Sequence, residues 1–412
     1  MKTILVLCCA TALATPSGAV SLPELLDEAV RHNPDVASAM HAWRAAAEVP
    51  LQAATPPDPQ ISLQHLSVGS PRPFAGFTNS EFGYIGVGIS QDIPYPGKLG
   101  LRAESAKRDA EIARDRYDSA TASLLEKVKS SYFQLTYIQK TLGLLDRDRN
   151  LLDNIEKIAE ARYRLGQGTQ QDVLKAQLQK TKILEDVAHH HQLMSTQQAL
   201  MTQLLNRQPG GPAITVDDIT ESPLKYTSDE LLAMARAQNP DVTGEQEMVR
   251  KQSLQVEIAR KDRYPDFNVQ YQWEHTAGQF RDYYMLTFSA KVPIYRRRKL
   301  DPEMAQAASE LNQSRRNYES RVQQAYFEVR DQYISAETAS EMLKIYRDGL
   351  IPQAMATFRA GLAAYESGSQ DFTSLLFSFL DVLKFDEEYW KILAEHETAL
   401  ARLERLTGAA IR

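Results

Sequence analysis

The sequence contains one structural unit written twice. Glu24-Leu25-Leu26 followed by Asn33-Pro34-Asp35-Val36 recurs as Glu230-Leu231-Leu232 followed by Asn239-Pro240-Asp241-Val242, at a constant offset of 206 residues. Self-similarity of this kind is the signature of a repeat architecture, in which copies of one supersecondary unit pack against each other. The chain is therefore expected to fold as two tandem repeats.

Further matches keep the same order along both copies. They pair Pro57-Asp58 with Pro265-Asp266, Ile93-Pro94 with Val292-Pro293, Tyr132-Phe133 with Tyr326-Phe327, and Tyr163 and Gly166 with Tyr365 and Gly368. Each copy is predicted to contain a helix interrupted at Asn-Pro, two strands, a very long helix, a glycine turn and a second helix.

The long helix of the first copy is indicated by the absence of proline over 97–208, since an interior proline costs a helix about 3 kcal/mol. Positions at alternating steps of four and three form a heptad seam from Leu124 to Leu152. The same steps recur from Tyr318 to Tyr346, although Gly349 and Pro352 are expected to bend or interrupt the helix. A helix over 98–164 would be on the order of 100 Å long, too long for a compact globule.

Four segments alternate apolar and polar residues, as a strand with two different faces does. They cover about 60–66, 82–92, 266–275 and 283–293, near the roughly 9 to 11 residues that a tilted strand needs to cross a bilayer. The apolar side chains of the last two strands are predicted to face lipid, and their aromatic rings suit the membrane interface. These residues are Phe267, Val269, Tyr271, Trp273, Tyr284, Leu286 and Phe288.

The number of strands predicts an oligomer. Four strands cannot close a barrel, and an open edge in lipid would leave backbone groups unpaired at several kcal/mol each. Three copies would supply about twelve strands, which is within the range of known barrels. The predicted fold is therefore mostly α with a small β part, and the long helices continue the cylinder away from the membrane.

The start of the chain predicts export. Residues 1–19 combine Lys2, an apolar stretch over 4–14 and small residues up to Ala19, which is the pattern of a signal peptide. Cys8 and Cys9, the two cysteines of the chain, lie inside it, so the exported protein would have neither disulfides nor cysteine-bound metal. The net charge of −6 gives no electrostatic reason to expect nucleic acid.

The domain boundaries follow from these elements. We predict a signal peptide over 1–19, a first repeat over 20–208, a linker over 209–228 and a second repeat over 229–412. The remaining predicted helices cover about 98–164, 169–206, 301–364 and 369–408.

These features together resemble the TolC family of outer-membrane efflux proteins, and within it the branch that serves heavy-metal exporters. The resemblance covers essentially the whole mature chain and depends on the paired motifs: the two Asn-Pro-Asp helices, the junctions over 93–99 and 292–300, and the two Tyr-x-x-Gly turns. It implies a homotrimer, with a twelve-stranded barrel in the outer membrane of a Gram-negative bacterium and a twelve-helix tunnel in the periplasm. It also implies two partners, a periplasmic adaptor protein and an inner-membrane pump.

The resemblance further implies an acidic gate near the two glycine turns, where Tyr163, Gly166, Tyr365 and Gly368 lie. Asp172, six residues after Gly166, matches an acidic gate position of the family. Thr169-Gln170-Gln171-Asp172 is also a capping box, which gives Asp172 a local role at a helix start. The second turn departs from the pattern, because Ser374 occupies the matching position. Asp371 lies three residues earlier and is either a gate residue or a helix cap.

Other chemistry finds little support in the sequence. His189-His190-His191 has the wrong spacing for a helical metal site, whose ligands normally sit four residues apart, and His191 falls in the apolar stripe and is expected to pack. The basic run Arg296-Arg297-Arg298-Lys299 could meet anionic lipid, but a solvated or ion-paired collar is the simpler reading. No phosphate loop, zinc motif or converging catalytic group is present, so neither an enzyme nor a cofactor is expected.

The predicted function is a passive exit duct for metal cations or small toxic compounds, fed from the periplasm and an inner-membrane pump. Two alternatives stay open at this point: the outer-membrane component of a type I protein secretion system, and a periplasmic coiled-coil scaffold without a pore.

Overall fold

A computed structural model describes residues 21–67, 83–276 and 281–411 of the chain. The predicted signal peptide and Phe82, at the start of the second predicted strand, lie outside the described residues. The described part contains two successive units with a similar order of helices and strands. Each unit contributes two strands and long helices to one elongated structure.

The elements of the first unit are α1 (Leu22–His32), α2 (Pro34–Ala47), α3 (Val49–Ala54), β1 (Gln60–Ser67), β2 (Gly83–Ile93), α4 (Lys98–Arg164) and α5 (Gln170–Leu204). Those of the second are α6 (Ser228–Gln238), α7 (Pro240–Lys261), β3 (Asp266–Thr276), β4 (Tyr283–Lys291), α8 (Asp301–Ile345), α9 (Ile351–Glu366) and α10 (Phe372–Thr407). Two π turns, Arg296–Leu300 and Tyr346–Leu350, precede α8 and α9.

The Asn-Pro motifs fasten each unit together in the same way. Asn33 caps α2 by accepting the amide of Asp35 at 2.9 Å, and its side-chain amide donates to the carbonyl of Leu204 at 3.1 Å. Asn239 caps α7 and donates to the carbonyl of Leu406 at 2.9 Å. Both asparagines are buried, so these bonds satisfy polar groups that would be costly to leave unpaired. Each motif therefore ties the start of a unit to the end of its last helix.

The four strands form one antiparallel sheet in the order β1-β2-β3-β4. The two hairpins have equivalent registers, because Gln60 lies opposite Ser90 in the first and Asn268 lies opposite Ser289 in the second. The hairpins join through β2 and β3, where Ile93 lies opposite Phe267. The contact between repeats is therefore part of the sheet itself.

The helices give the register between the repeats, and one predicted match is wrong. Val128 and Val329 are both fully buried, which corresponds to an offset of 201 residues. The long helical stretches begin at Lys98 and Lys299, an offset of 201, and end near Tyr163 and Tyr365, an offset of 202, so the predicted pairing of Tyr132-Phe133 with Tyr326-Phe327 at an offset of 194 is incorrect. The error is one heptad, since a seam that repeats every seven residues matches itself when shifted by seven.

A single-residue insertion separates the two long helices of the second repeat. Between Lys299 and Ile345 the offset from the first repeat is 201, and at Tyr163 and Tyr365 it is 202. The π turn Tyr346–Leu350 lies between them and contains Gly349, with Pro352 at the start of α9. A π turn accommodates one extra residue without ending the helix, and here it marks the interruption that the sequence predicted.

The long helices pack side by side and bury their apolar seams. α4 lies between α5 and α10, and α10 also contacts α8 and α9. The largest cores form where α1, α2 and α10 meet α4 and where α9 and α10 pack near the glycine turns; they include Leu25, Val128, Phe133, Ile138 and Met201, and Leu152, Ile155, Phe358, Leu375 and Phe379. In the described residues, α5 packs mainly against α4, and α8 packs mainly against α7 and α10, which leaves one flank of each helix without a long helix beside it.

Candidate functional site

The first candidate site is the apolar face of the sheet. The register places Val87 opposite Trp273 and Ile89 opposite Tyr271, and the row continues onto β4 at Tyr284 and Leu286. All seven predicted lipid-facing residues lie on this face together with Ile61, Leu63 and Ile85 from the first hairpin. Several are strongly exposed, for example Phe288 at 73% and Leu63 at 70%. Exposed apolar surfaces of this size mark a contact with a membrane or with another protein.

The opposite face of the sheet is polar and closely packed. It carries mainly glutamine, serine and threonine side chains, with Gln272 and Glu274 almost completely buried, and Leu66, Tyr84, Tyr283 and Met285 are the exceptions at the end away from the helices. A Cβ atom at Gly86 would lie 2.9 Å from Cγ of Glu274, and one at Gly88 would lie 2.7 Å from Oγ of Ser62. Glycine at these two positions lets the polar side chains of neighbouring strands lie across β2. The sheet thus separates an apolar side from a polar one.

Both edges of the sheet are open within the described part of the chain. β1 pairs only with β2, and β4 pairs only with β3. The outward N–H and C=O groups of these two strands have no partner strand there, and exposed edges of this kind are templates for pairing with another chain.

The second candidate site comprises the two glycine turns at the far end of the helices. Gly166 has φ +70° and Gly368 has φ +81°, a conformation that glycine adopts without a steric penalty. After the first turn, Thr169 caps α5 by accepting the amide of Asp172 at 3.3 Å, and Asp172 accepts the amide of Thr169 at 3.2 Å. The predicted capping box is therefore present, and Asp172 is half-buried.

In the second turn, Asp371 is the N-cap of α10. Its carboxylate accepts the amide of Ser374 at 2.9 Å and the hydroxyl of Ser374 at 2.8 Å. These hydrogen bonds hold the pKa of Asp371 below its usual value. Of the two readings left open by the sequence, the helix cap is observed directly, and it leaves the carboxylate exposed beside the turn.

The two tyrosines of the turns occupy different environments. Tyr163 is 48% exposed, whereas Tyr365 is 2% exposed and packs edge-on against Phe372. Burial raises the pKa of Tyr365. The sequence match between them is correct in position, but the two repeats use the residue differently.

Arg162 connects the two turns, a role that sequence reasoning missed. Its guanidinium donates to the carbonyl of Tyr365 and, at 3.0 Å, to the carbonyl of Gln167, and it lies over the Tyr365 ring. One signal was available in the sequence, since a cation in the last turn of a helix commonly binds unpaired carbonyls. That the carbonyl belongs to the other repeat could not be read from spacing.

A buried lysine at the junction of sheet and helices was also missed. Lys98 is 2% exposed, and its Nζ atom lies 2.8 Å from Asp266 and 3.2 Å from Asp262. The Asp266 carboxylate additionally accepts the amide of Tyr95 at 2.8 Å. This cluster fixes the start of α4 in the first repeat to the start of β3 in the second.

The histidine run needs one correction. His190, not His191, is the packed residue: it is 7% exposed, while His191 is exposed. Nδ1 of His190 donates to the carbonyl of Asp186 at 2.9 Å, and Nε2 lies 3.7 Å from Glu387. The buried stripe of α5 passes one position earlier than the heptad count predicted. In the described ranges, no three His, Cys, Asp or Glu side chains are placed to hold a metal ion.

The family is decided by a comparison of the whole chain with protein-family models. Residues 25–207 and 231–409 each match the model of the outer membrane efflux protein. The chain belongs to the outer membrane efflux protein family. The two matches correspond to the two repeats and leave out the connection between them. The resemblance recognised in the sequence is thereby confirmed, as is the outer-membrane localisation expected from it.

Solved structures of outer-membrane proteins share the fold. CusC is 15% identical, with a TM-score of 0.81 over 96% of this chain and 95% of that one. VceC from Vibrio cholerae is 16% identical, with a TM-score of 0.80 over 95% and 97%. The open state of the MtrE channel from Neisseria gonorrhoeae is 17% identical, with a TM-score of 0.77 over 95% and 89%. The predicted fold class, mostly α with a small antiparallel sheet in two repeats, is confirmed.

A search of curated proteins found none with a significant sequence match. Among the helices over 21–67, 83–276 and 281–411, none is both long and apolar enough to span a bilayer.

Proposed function

We propose that three copies of the chain form the exit duct of a tripartite efflux system in the outer membrane. In this proposal the four-stranded sheets join edge to edge into a twelve-stranded barrel, and the long helices form a periplasmic tunnel of twelve helices. The observation that carries the proposal is the sheet, which has one exposed apolar face, one polar face and two open edges. Lipid would cover the apolar face, and edge pairing would satisfy the backbone.

The same observation disfavours a periplasmic scaffold without a pore. A scaffold in water would gain nothing from an exposed row that includes Phe288, Tyr284 and Leu286, because exposed apolar area of this kind promotes aggregation. The family membership agrees with a duct, and the solved relatives CusC and MtrE are themselves described as channels.

The glycine turns are the proposed gate. Asp172 and Asp371 lie close to the ends of the long helices, where three copies would bring six carboxylates around one axis. Their capping hydrogen bonds fix their position beside the turns. A ring of carboxylates attracts cations and can narrow a pore. Tyr163 and Tyr365, with Gly166 and Gly368, would shape the turns that carry this ring.

The proposed cargo is metal cations or small toxic compounds, delivered by an inner-membrane pump through a periplasmic adaptor. The resemblance of the whole chain to the heavy-metal branch supports cations. The duct itself has no energy source and would need no cofactor. The domain boundaries predicted from the sequence are part of this proposal, with 20–208 and 229–412 as the two wall-forming repeats.

The duct is tested by reconstituting the purified protein in planar bilayers. We expect discrete ion currents that are cation-selective and blocked by divalent cations, with selectivity and block both reduced in Asp172→Asn. Asp146→Asn, an exposed carboxylate on α4 far from the turns, is the matched control. An absence of current would refute the duct, and an Asp172→Asn channel with unchanged selectivity would remove Asp172 from the gate.

The cargo is tested by deletion of the gene and survival assays. Growth is compared across metal salts, dyes and bile salts, with the wild-type chain restored from a plasmid. Sensitivity to metal salts alone would support cations, sensitivity to dyes and bile salts would support small toxic compounds, and loss of a secreted protein would favour type I secretion.

A further inference from the structure

The contact between the two repeats is formed once within the chain. The equivalent contact, from the second repeat to a first repeat, has no partner within the described part of the chain. β2 and α4 of the first repeat contact β3 and α10 of the second. In the repeat correspondence, β2 and α4 of the first repeat are equivalent to β4 and α8 of the second. Likewise, β3 and α10 of the second repeat are equivalent to β1 and α5 of the first. Both sets lie at opposite open flanks of the chain, so a second copy can complete the contact.

The strand register of the empty contact follows from the filled one. Within the chain Ile93 lies opposite Phe267. The hairpin registers equate Ile93 with Val292 and Phe267 with Pro59, because Gln60–Ser90 and Asn268–Ser289 are equivalent pairs. The same pairing between copies puts Ser289 opposite Ser62 and Phe288 opposite Leu63 of the second copy.

The derived register is consistent with the two faces of the sheet. Phe288 and Leu63 belong to the apolar face and Ser289 and Ser62 to the polar face, so each face continues unbroken into the next copy. A slip of one residue would place Phe288 opposite a polar side chain, because side chains alternate between faces with a period of two.

Charge complementarity points to the same contact. Lys98 pairs with Asp266 at 2.8 Å within the chain. Their equivalents are Lys299, from the matching Lys-Leu at the start of the long helix, and Asp58, from the matching Pro-Asp before the strand. Both are exposed, and neither side chain has an ion-pair partner in the part of the chain that the structure describes.

The helices supply a third pair. Glu126 on α4 lies 3.5 Å from Arg402 on α10. Offsets of 201 and 202 convert these residues into Phe327 on α8 and Leu200 on α5, which are 71% and 40% exposed. An ion pair inside the chain thus corresponds to two exposed apolar side chains on opposite flanks, and these would cover each other between copies.

We infer that the repeat encodes the subunit contact: β4 pairs with β1 of the next copy with Ser289 opposite Ser62, and Lys299 forms an ion pair with Asp58 of that copy. The inference rests on the trimer proposed above and adds its register and its polar anchor. Arg297, in the same basic run, corresponds at the same offset to Pro96, which has no charge, so the repeat assigns it no ion pair in the contact.

The register is tested by disulfide cross-linking in a chain with Cys8 and Cys9 replaced by alanine. Opposed residues of antiparallel strands have Cα atoms about 4.5–5.5 Å apart, which suits a disulfide. We expect Ser62→Cys with Ser289→Cys to give linked species of two and three chains under mild oxidation. Ser62→Cys with Thr287→Cys, or with Lys291→Cys, represents a slip of two residues and should give about ten-fold less product.

The anchor is tested by exchanging charges. We expect Lys299→Asp or Asp58→Lys alone to lower the temperature at which the detergent-solubilised trimer dissociates, and the double exchange to restore it. Arg297→Asp should leave that temperature unchanged. Equal effects of Lys299→Asp and Arg297→Asp, without recovery in the double variant, would overturn the ion pair.

Different results would refute the proposed trimer and the inferred strand register. If the wild-type particle contains one chain, the proposed trimer is wrong. If it contains three chains but links more strongly through residue 287 or 291, the trimer stands and the inferred register is wrong.

Discussion

Arg162 lies with its guanidinium carbon 4.7 Å from the centre of the Tyr365 ring, so the last turn of the first long helix is fastened to the last turn of its counterpart in the second repeat. The same side chain donates to the carbonyls of Tyr365 and Gln167. Gly368 lies close by, since a Cβ atom there would be 3.3 Å from the Arg162 guanidinium. Because the proposed gate lies in these turns, this contact holds the two halves of the gate in one subunit together.

Replacement of Arg162 by alanine should favour the open gate. Hydrogen bonds from a charged group contribute about 1.5 kcal/mol or more, which corresponds to about a ten-fold shift of a two-state equilibrium. We expect longer open times and a higher mean current in planar bilayers. Arg164→Ala is the control, because Arg164 is exposed and pairs with Glu160 on its own helix. Equal currents in the two variants would show that Arg162 does not hold the gate.

Asp115 should make the stability of the helical part depend on pH. Burial raises the pKa of Asp115 to about 6, although Thr243 donates a hydrogen bond to its carboxylate at 3.0 Å. The folded state therefore binds the proton more tightly than the unfolded chain. Its stabilising effect is complete below pH 3.8, the ordinary value, and is lost as the pH rises through about 6.

Asp115→Asn tests this pH dependence. We expect the variant to be more stable than wild type by about 2 kcal/mol at pH 7, after allowance for partial solvent exposure, with the difference vanishing near pH 4. Thermal unfolding of the detergent-solubilised protein at a series of pH values measures it. Asp146→Asn, an exposed position on the same helix, should give no such slope; a parallel pH profile in the two variants would contradict the assignment.

The two faces of the sheet should respond differently to a charge. Tyr271 lies on the apolar face, and Gln270, next to it on β3, lies on the polar face. Arginine on a lipid-facing strand position costs about 2–4 kcal/mol near the bilayer centre. We expect Tyr271→Arg to reduce the yield of folded protein in lipid vesicles and Gln270→Arg to have little effect. A larger loss for Gln270→Arg would mean that the faces are assigned the wrong way round.

Of the neighbouring histidines, His190 should matter for stability and His191 should not. His190→Ala removes a buried ring and a hydrogen bond to the carbonyl of Asp186 at 2.9 Å, which should cost about 1–3 kcal/mol. His191→Ala changes an exposed side chain and should cost less than about 0.5 kcal/mol. Chemical denaturation of both variants compares the two, and a metal-dependent shift in either would revive the metal-site reading.

Much of the fold could be predicted from the sequence because it is written twice. The Asn-Pro motifs, the strand alternation and the Tyr-x-x-Gly turns each occur in both copies, and local chemistry fixes each of them: an Asx cap at Asn33, a pleated face at Phe267, a left-handed glycine at Gly166. A feature that depends only on residues close together in the sequence can be predicted without the structure.

Sequence-based prediction fails where a repeating pattern is unchanged by a shift along the chain, and where two interacting residues are far apart in the sequence. A heptad seam is unchanged by a shift of seven, so Tyr132-Phe133 was matched one heptad away from its true counterpart. The buried stripe of α5 drifts across the helix, so His190 replaced His191 as the packed residue. Arg162 and Lys98 act through residues 203 and 168 positions away, and no spacing rule reaches that far.

The central claim is that one chain forms a third of a channel wall, and native mass spectrometry of the protein released from detergent tests it most directly. The account predicts a particle with the mass of three mature chains. Single chains are expected only when the strand pairing between neighbouring copies is broken. A particle with the mass of a single chain, obtained under conditions in which the reconstituted sample still carries current, would contradict it.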